Sequence, residues 1–192
     1  MLRAGGRPSL AAVEAELERV RYRRRFYSTL RSTILGLVVA AAAAVLAATL
    51  WMPVLQIYGT SMYPTLADGD VVLSTRTGTF RTGEVVAFYY NNKILVKRVI
   101  GVPGDWVDIE EDGTVRVNGA SLEEPYVSEK ALGDCNIQLP YQVPENHIFV
   151  MGDHRSVSVD SRNRSIGCVS EESVVGRIVF RAWPLGNAGP VA

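Results

Sequence analysis

The sequence predicts a mainly β protein that carries one N-terminal membrane helix, and two observations support this class. Residues 32–55 form an apolar run without a single charged side chain. After Pro64 the helical spacing of apolar residues is lost, and short β-branched and aromatic runs alternate with Gly, Pro, Asp and Asn, the residues that mark turns. The remaining roughly 140 residues are enough to bury a hydrophobic core of their own.

The first element is a basic helical segment at residues 1–31. Leu10, Val13, Leu17 and Val20 recur at three- and four-residue spacing, which places them on one face of a helix. A short coiled coil and a surface-lying basic helix both fit this pattern. A solvated helix beside the membrane without a partner is the interpretation we favour.

Charge is distributed unevenly along the chain. The first 31 residues hold eight arginines and three glutamates, whereas the rest of the chain holds twelve basic and seventeen acidic residues. The chain therefore combines a basic arm with an acidic body. A nucleic-acid-binding body is disfavoured, because the basic charge lies outside the part that folds into a core.

The second element is the apolar run at residues 32–55, which is long enough to span a bilayer. A cleaved signal peptide has an apolar core of only about 7–15 residues, so we expect a retained transmembrane anchor. The arginines before this run place the N-terminus in the cytoplasm by the positive-inside rule. The body, residues 56–192, is then extracytoplasmic and attached to a plasma membrane.

The body is predicted to be mostly antiparallel β structure. The predicted strands lie in "DVVLSTRT", "GEVVAFYYNN", "KILVKRVIGV", "DWVDIEEDGTVRVNG", "HIFVMGD" and "VVGRIVFRAW". An Asp-Gly pair inside the fourth run indicates a hairpin. Residues 121–144 contain three prolines and little periodicity, so we expect an irregular loop there.

Two cysteines, Cys135 and Cys168, are present without any Cys/His cluster, so no zinc-type metal site is expected. In an extracytoplasmic body they could pair as a disulfide or remain separate thiols. The sequence leaves both alternatives open, because pairing depends on the distance between the two residues in the fold.

Ser61, in the segment "YGTSMYPTL", is a candidate nucleophile that follows the apolar run closely. A serine nucleophile needs a base within hydrogen-bonding reach, and the candidates are His147, His154 and Lys97. Lys97 shares a strand face with Leu95 and Val99, so burial would lower its pKa and allow the neutral amine to accept a proton. The alternative is a lysine on an edge strand with its amine in solvent.

A polar segment, "MGDHRSVSVDSRNRSIGCV" at residues 151–169, follows a predicted strand. Its hydroxyls include Ser158, which could hydrogen-bond a lysine amine, and its Asp and Arg residues could pair to hold the loop. Polar loops that leave rigid strands often build functional sites. A solvated loop with local ion pairs is the alternative.

The ordered set of motifs resembles the type I (leader) signal peptidases, in particular the bacterial plasma-membrane form with one anchor. The motifs are "SMYPTL", "DGDVVL", "GEVVAF", "VKRVIGVPGD", "GDHRSVSVDSR" and "VVGRIVFRAWPL", and the resemblance covers residues 34–185. It implies a coiled, mostly antiparallel β-sheet catalytic domain. It also implies removal of signal peptides from secreted preproteins at Ala-x-Ala-like sites, with no metal and no organic cofactor.

The resemblance assigns roles to particular residues. It implies a Ser–Lys dyad of Ser61 and Lys97, with Ser158 orienting the lysine. The backbone N–H of Ser61 would be an oxyanion donor in a nucleophile turn that includes Gly59 and Met62. Structural ion pairs are implied for two pairs of residues: Arg98 with Asp153, and Arg162 with Asp160. Preproteins, membrane lipid and the export translocon are the expected partners, and nucleic acid is not.

The sequence departs from the family pattern at three positions. Some relatives have a serine where this chain has Gly59, so a second oxyanion hydroxyl is absent. The last motif often reads "GDNR", with an asparagine just before the lysine-orienting serine; His154 and Val157 stand there instead. These departures suggest a branch with specialised substrates, such as pilin-like surface proteins.

Three other functions would each explain part of the sequence. A catalytically silent homologue could act as a chaperone for surface-protein or pilus assembly, but such a homologue would be expected to lose Ser61 or Lys97. A generic anchored β domain that binds a partner explains the anchor but not the ordered motifs. Self-cleaving repressors also use Ser–Lys dyads, yet they are cytoplasmic and bind DNA.

Overall fold

The computed structural model describes residues 10–76 and 78–191 of the chain. The chain forms two compact units, one on each side of the Ala48–Thr49 bond.

Helix α1 (Leu10–Trp51) joins the basic segment and the apolar run in one continuous helix of 42 residues. It is long and apolar enough to cross a membrane, with a mean hydropathy of 1.9 in its most apolar 18-residue window within Glu16–Leu46. The predicted anchor extended to residue 55, whereas the helix ends at Trp51. Pro53 explains the difference, because a proline lacks the N–H that a helix requires and disfavours helical backbone before it.

The β structure of the described residues consists of twelve strands. They are β1 (Val54–Gln56), β2 (Val71–Thr75), β3 (Val85–Tyr90), β4 (Lys93–Gly101), β5 (Trp106–Ile109), β6 (Val115–Val117), β7 (Ala120–Ser121), β8 (Tyr141–Gln142), β9 (His147–Met151), β10 (Val169–Ser170), β11 (Val174–Trp183) and β12 (Gly189–Pro190). Every strand pairing is antiparallel. The predicted fold class, a mainly β protein with one N-terminal apolar helix, is thereby confirmed.

The strands form two sheets. The larger has the order β1-β2-β11-β3-β4-β9-β10, with β12 added to β11, and the smaller has the order β7-β6-β5-β8. Strands β5 and β6 form the hairpin that the Asp-Gly pair predicted, and Gly113 in its turn has a φ of +85°, which favours glycine. Most of the predicted irregular loop, residues 121–144, contains no strand, but it includes the end of β7 and the short strand β8.

The larger sheet is buried on both faces around β3 and β4. Val85, Ala87 and Val96 pack into one hydrophobic cluster, whereas Val86 and Val99 pack into another. This division follows the strand alternation, since neighbouring side chains point to opposite faces. A third cluster, built on Phe149, Met151 and the strands of the smaller sheet, packs at the far end of β4.

Both cysteines are free thiols and half-buried. Burial raises the pKa of Cys168 to about 11, so this thiol is protonated at neutral pH and is a poor nucleophile.

Candidate active site

The centre of the site is a direct contact between Lys97 and Ser61. Ser61 lies in the turn after Tyr58, and Lys97 lies on β4, opposite Val86 of β3. The distance from Lys97 Nζ to Ser61 Oγ is 2.7 Å, although the two residues are 36 positions apart. Only 4% of Lys97 is exposed, so the alternative of a lysine with its amine in solvent is excluded.

Burial changes the chemistry of the Lys97 amine. Removal from water lowers the pKa of Lys97 from 10.5 to about 8, and the nearby Arg162 guanidinium acts in the same direction. The carboxylates of Asp160 and Asp153 oppose this change without cancelling it. A substantial fraction of the amine is therefore neutral at mildly alkaline pH and able to accept a proton.

The backbone around Ser61 is held by several contacts. Gly59 has a φ of +87° and donates its N–H to Asp68 Oδ1 at 2.7 Å. Met62 is buried in the core, and its carbonyl accepts a hydrogen bond from Leu66. Within the described part of the chain, no residue accepts a hydrogen bond from the N–H of Ser61.

Ser158 lies beside this turn, but its hydroxyl makes no hydrogen bond with the Lys97 amine. Its side chain is buried, and its Oγ has no geometrically suitable partner among the described residues. It lies close enough to Asp160 to help lower the pKa of that carboxyl. Gly152 allows Ser158 to lie close to the Ser61 backbone. A Cβ at position 152 would meet the Ser158 side chain and would lie 2.5 Å from the carbonyl oxygen of Ser61.

The two expected ion pairs are both formed and buried. Arg98 binds Asp153 through two hydrogen bonds, Nε to Oδ1 at 2.9 Å and Nη2 to Oδ2 at 2.8 Å, and its guanidinium lies 3.8 Å from the ring centroid of Tyr126. Arg162 binds Asp160 in the same bidentate way, at 2.8 Å for each bond. Burial raises the pKa of Asp160, but Arg162 and the Gly152 N–H outweigh it and hold that pKa below its usual value.

A third buried pair, Arg155 with Glu124, was not anticipated from the sequence. The bond from Arg155 Nη1 to Glu124 Oε2 is 3.0 Å long, and Arg155 Nε donates to the Gly152 carbonyl at 3.1 Å. Glu124 lies in the segment expected to be an irregular loop, where no periodicity indicates burial. The interpretation of residues 151–169 as a solvated loop is wrong, since Asp153, Arg155 and Asp160 are buried.

The structure separates the two histidines that were considered as bases. The His147 ring contacts the backbone near its own strand rather than Ser61, and its Nδ1 lies 2.8 Å from the Glu145 carbonyl oxygen. His154 lies beside the nucleophile turn, but its ring contacts the Thr60 carbonyl rather than the Ser61 hydroxyl. Of the three candidates, the structure brings Lys97 alone to the Ser61 hydroxyl.

A cleft of about 570 Å³ opens onto Ser61 and Lys97. Its walls are residues 54–59 on one side and 93–97 on the other. β1 is the last strand of the sheet, and β9 pairs with β4 only from Arg98 onward. Among residues 10–76 and 78–191, both walls therefore have a backbone edge without a strand partner, which an extended peptide could use.

The chain is similar to known proteins over most of its length. The family model described as "Signal peptidase, peptidase S26" matches residues 30–183. "Signal peptidase IB" of Staphylococcus aureus is 38% identical over 151 residues, covering 68% of this chain and 78% of that protein. "Signal peptidase I" of Bacillus licheniformis is 39% identical over 145 residues, covering 67% of this chain and 75% of that protein.

Among solved structures, the chain is similar to a signal peptidase I from Enterococcus faecalis, with 31% sequence identity. The match covers 52% of this chain and 96% of that one, with a TM-score of 0.42.

Proposed function

Because the chain belongs to the signal peptidase (peptidase S26) family and is a signal peptidase I, a serine endopeptidase, we propose that it cleaves preproteins with a dyad of Ser61 and Lys97. The observation that carries this proposal is the 2.7 Å contact between Nζ and Oγ, together with the burial that lowers the pKa of Lys97 to about 8. A hydroxyl and a partly neutral amine in direct contact are what nucleophilic catalysis by serine requires.

The dyad would work in two half-reactions. Neutral Lys97 accepts the Ser61 proton while Oγ attacks the scissile carbonyl, and the Ser61 N–H donates to the oxyanion that forms. As the C–N bond breaks, the Lys97 ammonium returns the proton to the leaving amine, which releases the mature protein. Lys97 then deprotonates a water that hydrolyses the ester between Ser61 and the signal peptide.

Ser158 is proposed to orient the amine. Its buried Oγ has an unused acceptor site, and its hydroxyl lies beside the Asp160 carboxylate. Donation of the hydroxyl proton to Asp160 leaves the oxygen free to accept an N–H from Lys97. The amine lone pair would then point towards Ser61.

Substrate selection is proposed to occur in the cleft. An extended signal-peptide segment would pair with the backbone edges of residues 54–59 or 93–97, so that alternate side chains point into the wall. Apolar side chains that line the cleft include Ile57, Met62 and Leu95, and they are proposed to form shallow pockets. Alanine at the two specificity positions of an Ala-x-Ala site would fit there, whereas larger side chains would overlap.

Helix α1 is proposed to hold the enzyme in the plasma membrane. The three proposed regions are a basic cytoplasmic segment (1–31), an anchor (32–55, with the helix ending at Trp51) and an extracytoplasmic catalytic body (56–192). Membrane lipid and the export translocon are the proposed partners beside the preproteins. No observation favours the alternative of a catalytically silent chaperone.

The deciding experiment is cleavage of a preprotein with an Ala-x-Ala site by the full chain in detergent. We expect cleavage by the wild type and a loss of at least about 1,000-fold in kcat for Ser61→Ala and for Lys97→Ala, since removing either dyad member removes the mechanism. Lys130→Ala is the matched control, because Lys130 is exposed and donates to the Thr114 hydroxyl, away from Ser61.

The control variant should cleave like the wild type. Cleavage by folded Ser61→Ala at more than a tenth of the wild-type rate would refute the dyad. Failure of the wild type on several such preproteins would refute the substrate class and leave the chaperone alternative to be tested.

A further inference from the structure

His154 contacts the nucleophile turn in three ways. Its backbone N–H donates to the Ser61 carbonyl at 3.1 Å, its ring Nδ1 lies 3.3 Å from the Thr60 carbonyl oxygen, and its ring packs near Tyr63 with 6.4 Å between the centroids. The side chain is half-buried at this position. A carbonyl oxygen only accepts hydrogen bonds, so Nδ1 must carry the proton in this contact. His154 Nδ1 is therefore a hydrogen-bond donor to the backbone, and this nitrogen cannot accept the proton of Ser61.

The bonded carbonyl matters because of the peptide group to which it belongs. The Thr60 carbonyl and the Ser61 N–H are the two ends of one peptide unit, which is planar and points its C=O and N–H in opposite directions. Whatever fixes the direction of the Thr60 carbonyl also fixes the direction of the Ser61 N–H. A hydrogen bond to the carbonyl also polarises the unit and strengthens its N–H as a donor.

The direction of the Ser61 N–H matters more here than it would at a site with a second oxyanion donor. Gly59 provides no hydroxyl next to the nucleophile, and the N–H of Ser61 has no acceptor among the described residues. The developing oxyanion thus depends on a donor whose orientation is set through the Thr60 carbonyl. Two groups donate to this carbonyl, the backbone N–H of Tyr63 at 3.1 Å and the His154 ring.

We propose that His154 is a positioning residue for catalysis, which orients the Ser61 N–H towards the oxyanion by donating Nδ1–H to the Thr60 carbonyl. The inference rests on the proposed Ser61–Lys97 mechanism. It predicts an effect on the transition state rather than on substrate binding, because the oxyanion exists only after attack.

The test uses three substitutions in the full chain, assayed on the Ala-x-Ala preprotein in detergent. His154→Phe keeps an aromatic ring beside Tyr63 but loses the donor. His154→Asn loses the ring but places an amide N–H at the position of Nδ1. His147→Asn is the matched control, because that histidine makes the same kind of bond, Nδ1 to the Glu145 carbonyl, away from the site.

We expect kcat to fall about tenfold in His154→Phe with KM within twofold of wild type. This loss is smaller than the roughly 100- to 1,000-fold loss caused by removing a whole oxyanion donor, since the N–H remains and is only misdirected. His154→Asn should recover at least half of the wild-type kcat, and His147→Asn should match the wild type. All variants should melt within a few degrees of the wild type, because the main-chain bond to the Ser61 carbonyl is kept in each.

Wild-type kcat in His154→Phe would overturn the assignment and leave ring packing or no role at all. Equal losses in the Phe and Asn variants would also overturn it, because restoring the donor would then recover nothing. A rise in KM with unchanged kcat would also overturn it, because it would place His154 in substrate binding. Failure of the wild type to cleave is a different outcome, which refutes the proposed function itself.

Discussion

At the scale of single residues, the proposed role of the Lys97 amine depends on where its strand places it. The chain has three lysines and seventeen arginines, and an arginine could not act as a base because its side chain is not deprotonated in proteins. Lys97 faces the same apolar cluster as Val86 and Val99, while Asp160 limits how far its pKa falls. The balance of burial and charge leaves the Lys97 amine with a pKa of about 8.

This balance predicts the pH dependence of cleavage. The base must be neutral, so kcat/KM should rise about tenfold per pH unit below pH 8 and level off above it, with a midpoint near the Lys97 pKa of about 8. The measurement is initial cleavage rates from pH 6 to 10, with circular dichroism at each pH as a control for folding. A profile that is flat over this range, or that has a midpoint near 10.5, would contradict the base assignment.

At the scale of elements, the segment after β9 is held by three buried arginine–carboxylate pairs. Arg98 connects this segment to β4, and Arg155 connects it to the irregular loop. Arg162 pairs with Asp160 within the segment. These pairs fix backbone as well as charge, since Arg155 binds the Gly152 carbonyl and Arg162 binds the Ser158 carbonyl. Ser158 and His154 therefore sit on a segment that is rigid without being regular secondary structure.

Breaking one of these pairs should cost far more stability than breaking an exposed pair. Arg98→Met leaves the buried Asp153 carboxylate without its partner, and we expect a loss of about 3–5 kcal/mol in the free energy of unfolding. Arg116→Met is the matched control, because Arg116 and Glu110 form an exposed pair in the smaller sheet. Its unfolding curve should overlay that of the wild type.

Both variants would be measured by urea unfolding of the detergent-solubilised chain. Similar, small shifts in the two variants would mean that the buried pair contributes no more than a surface pair. In that case another interaction would have to hold the segment after β9.

At the scale of the whole molecule, the chain combines a long apolar helix with a β-rich catalytic body, and the charges differ between them. The basic residues that precede the apolar part of α1 include Arg23, Arg24 and Arg25, all exposed. Such clusters stay on the cytoplasmic side during insertion. The family match to residues 30–183 takes in the apolar part of the helix as well as the body.

The proposed orientation predicts the result of protease protection. In intact spheroplasts, added protease should degrade the body while an epitope tag fused before residue 1 stays protected until the cells are lysed. The basic segment on the cytoplasmic side is the physical reason. Protection of the body, with loss of the tag from intact cells, would reverse the proposed topology and would place the catalytic site on the wrong side for secreted preproteins.

The sequence by itself determined the features that depend on local pattern. Uncharged apolar length predicted the helix, and β-branched and aromatic runs between turn residues predicted the strands. Period-two alternation placed Lys97 on an apolar strand face. The motif order added the pairs Arg98–Asp153 and Asp160–Arg162, which the structure contains. The helix end was overestimated, because hydropathy continues past Pro53 whereas helical hydrogen bonding does not.

Only the tertiary structure decided which distant groups meet. The contact of Lys97 with Ser61, the burial of Glu124 against Arg155 and the approach of His154 to the Thr60 carbonyl all join segments far apart in the chain. The strand order places β11 between β2 and β3, and β9 meets β4 only from Arg98 onward. Periodicity reports which face of an element is buried, but the partner across the sheet depends on pairing between distant strands, which no local pattern encodes.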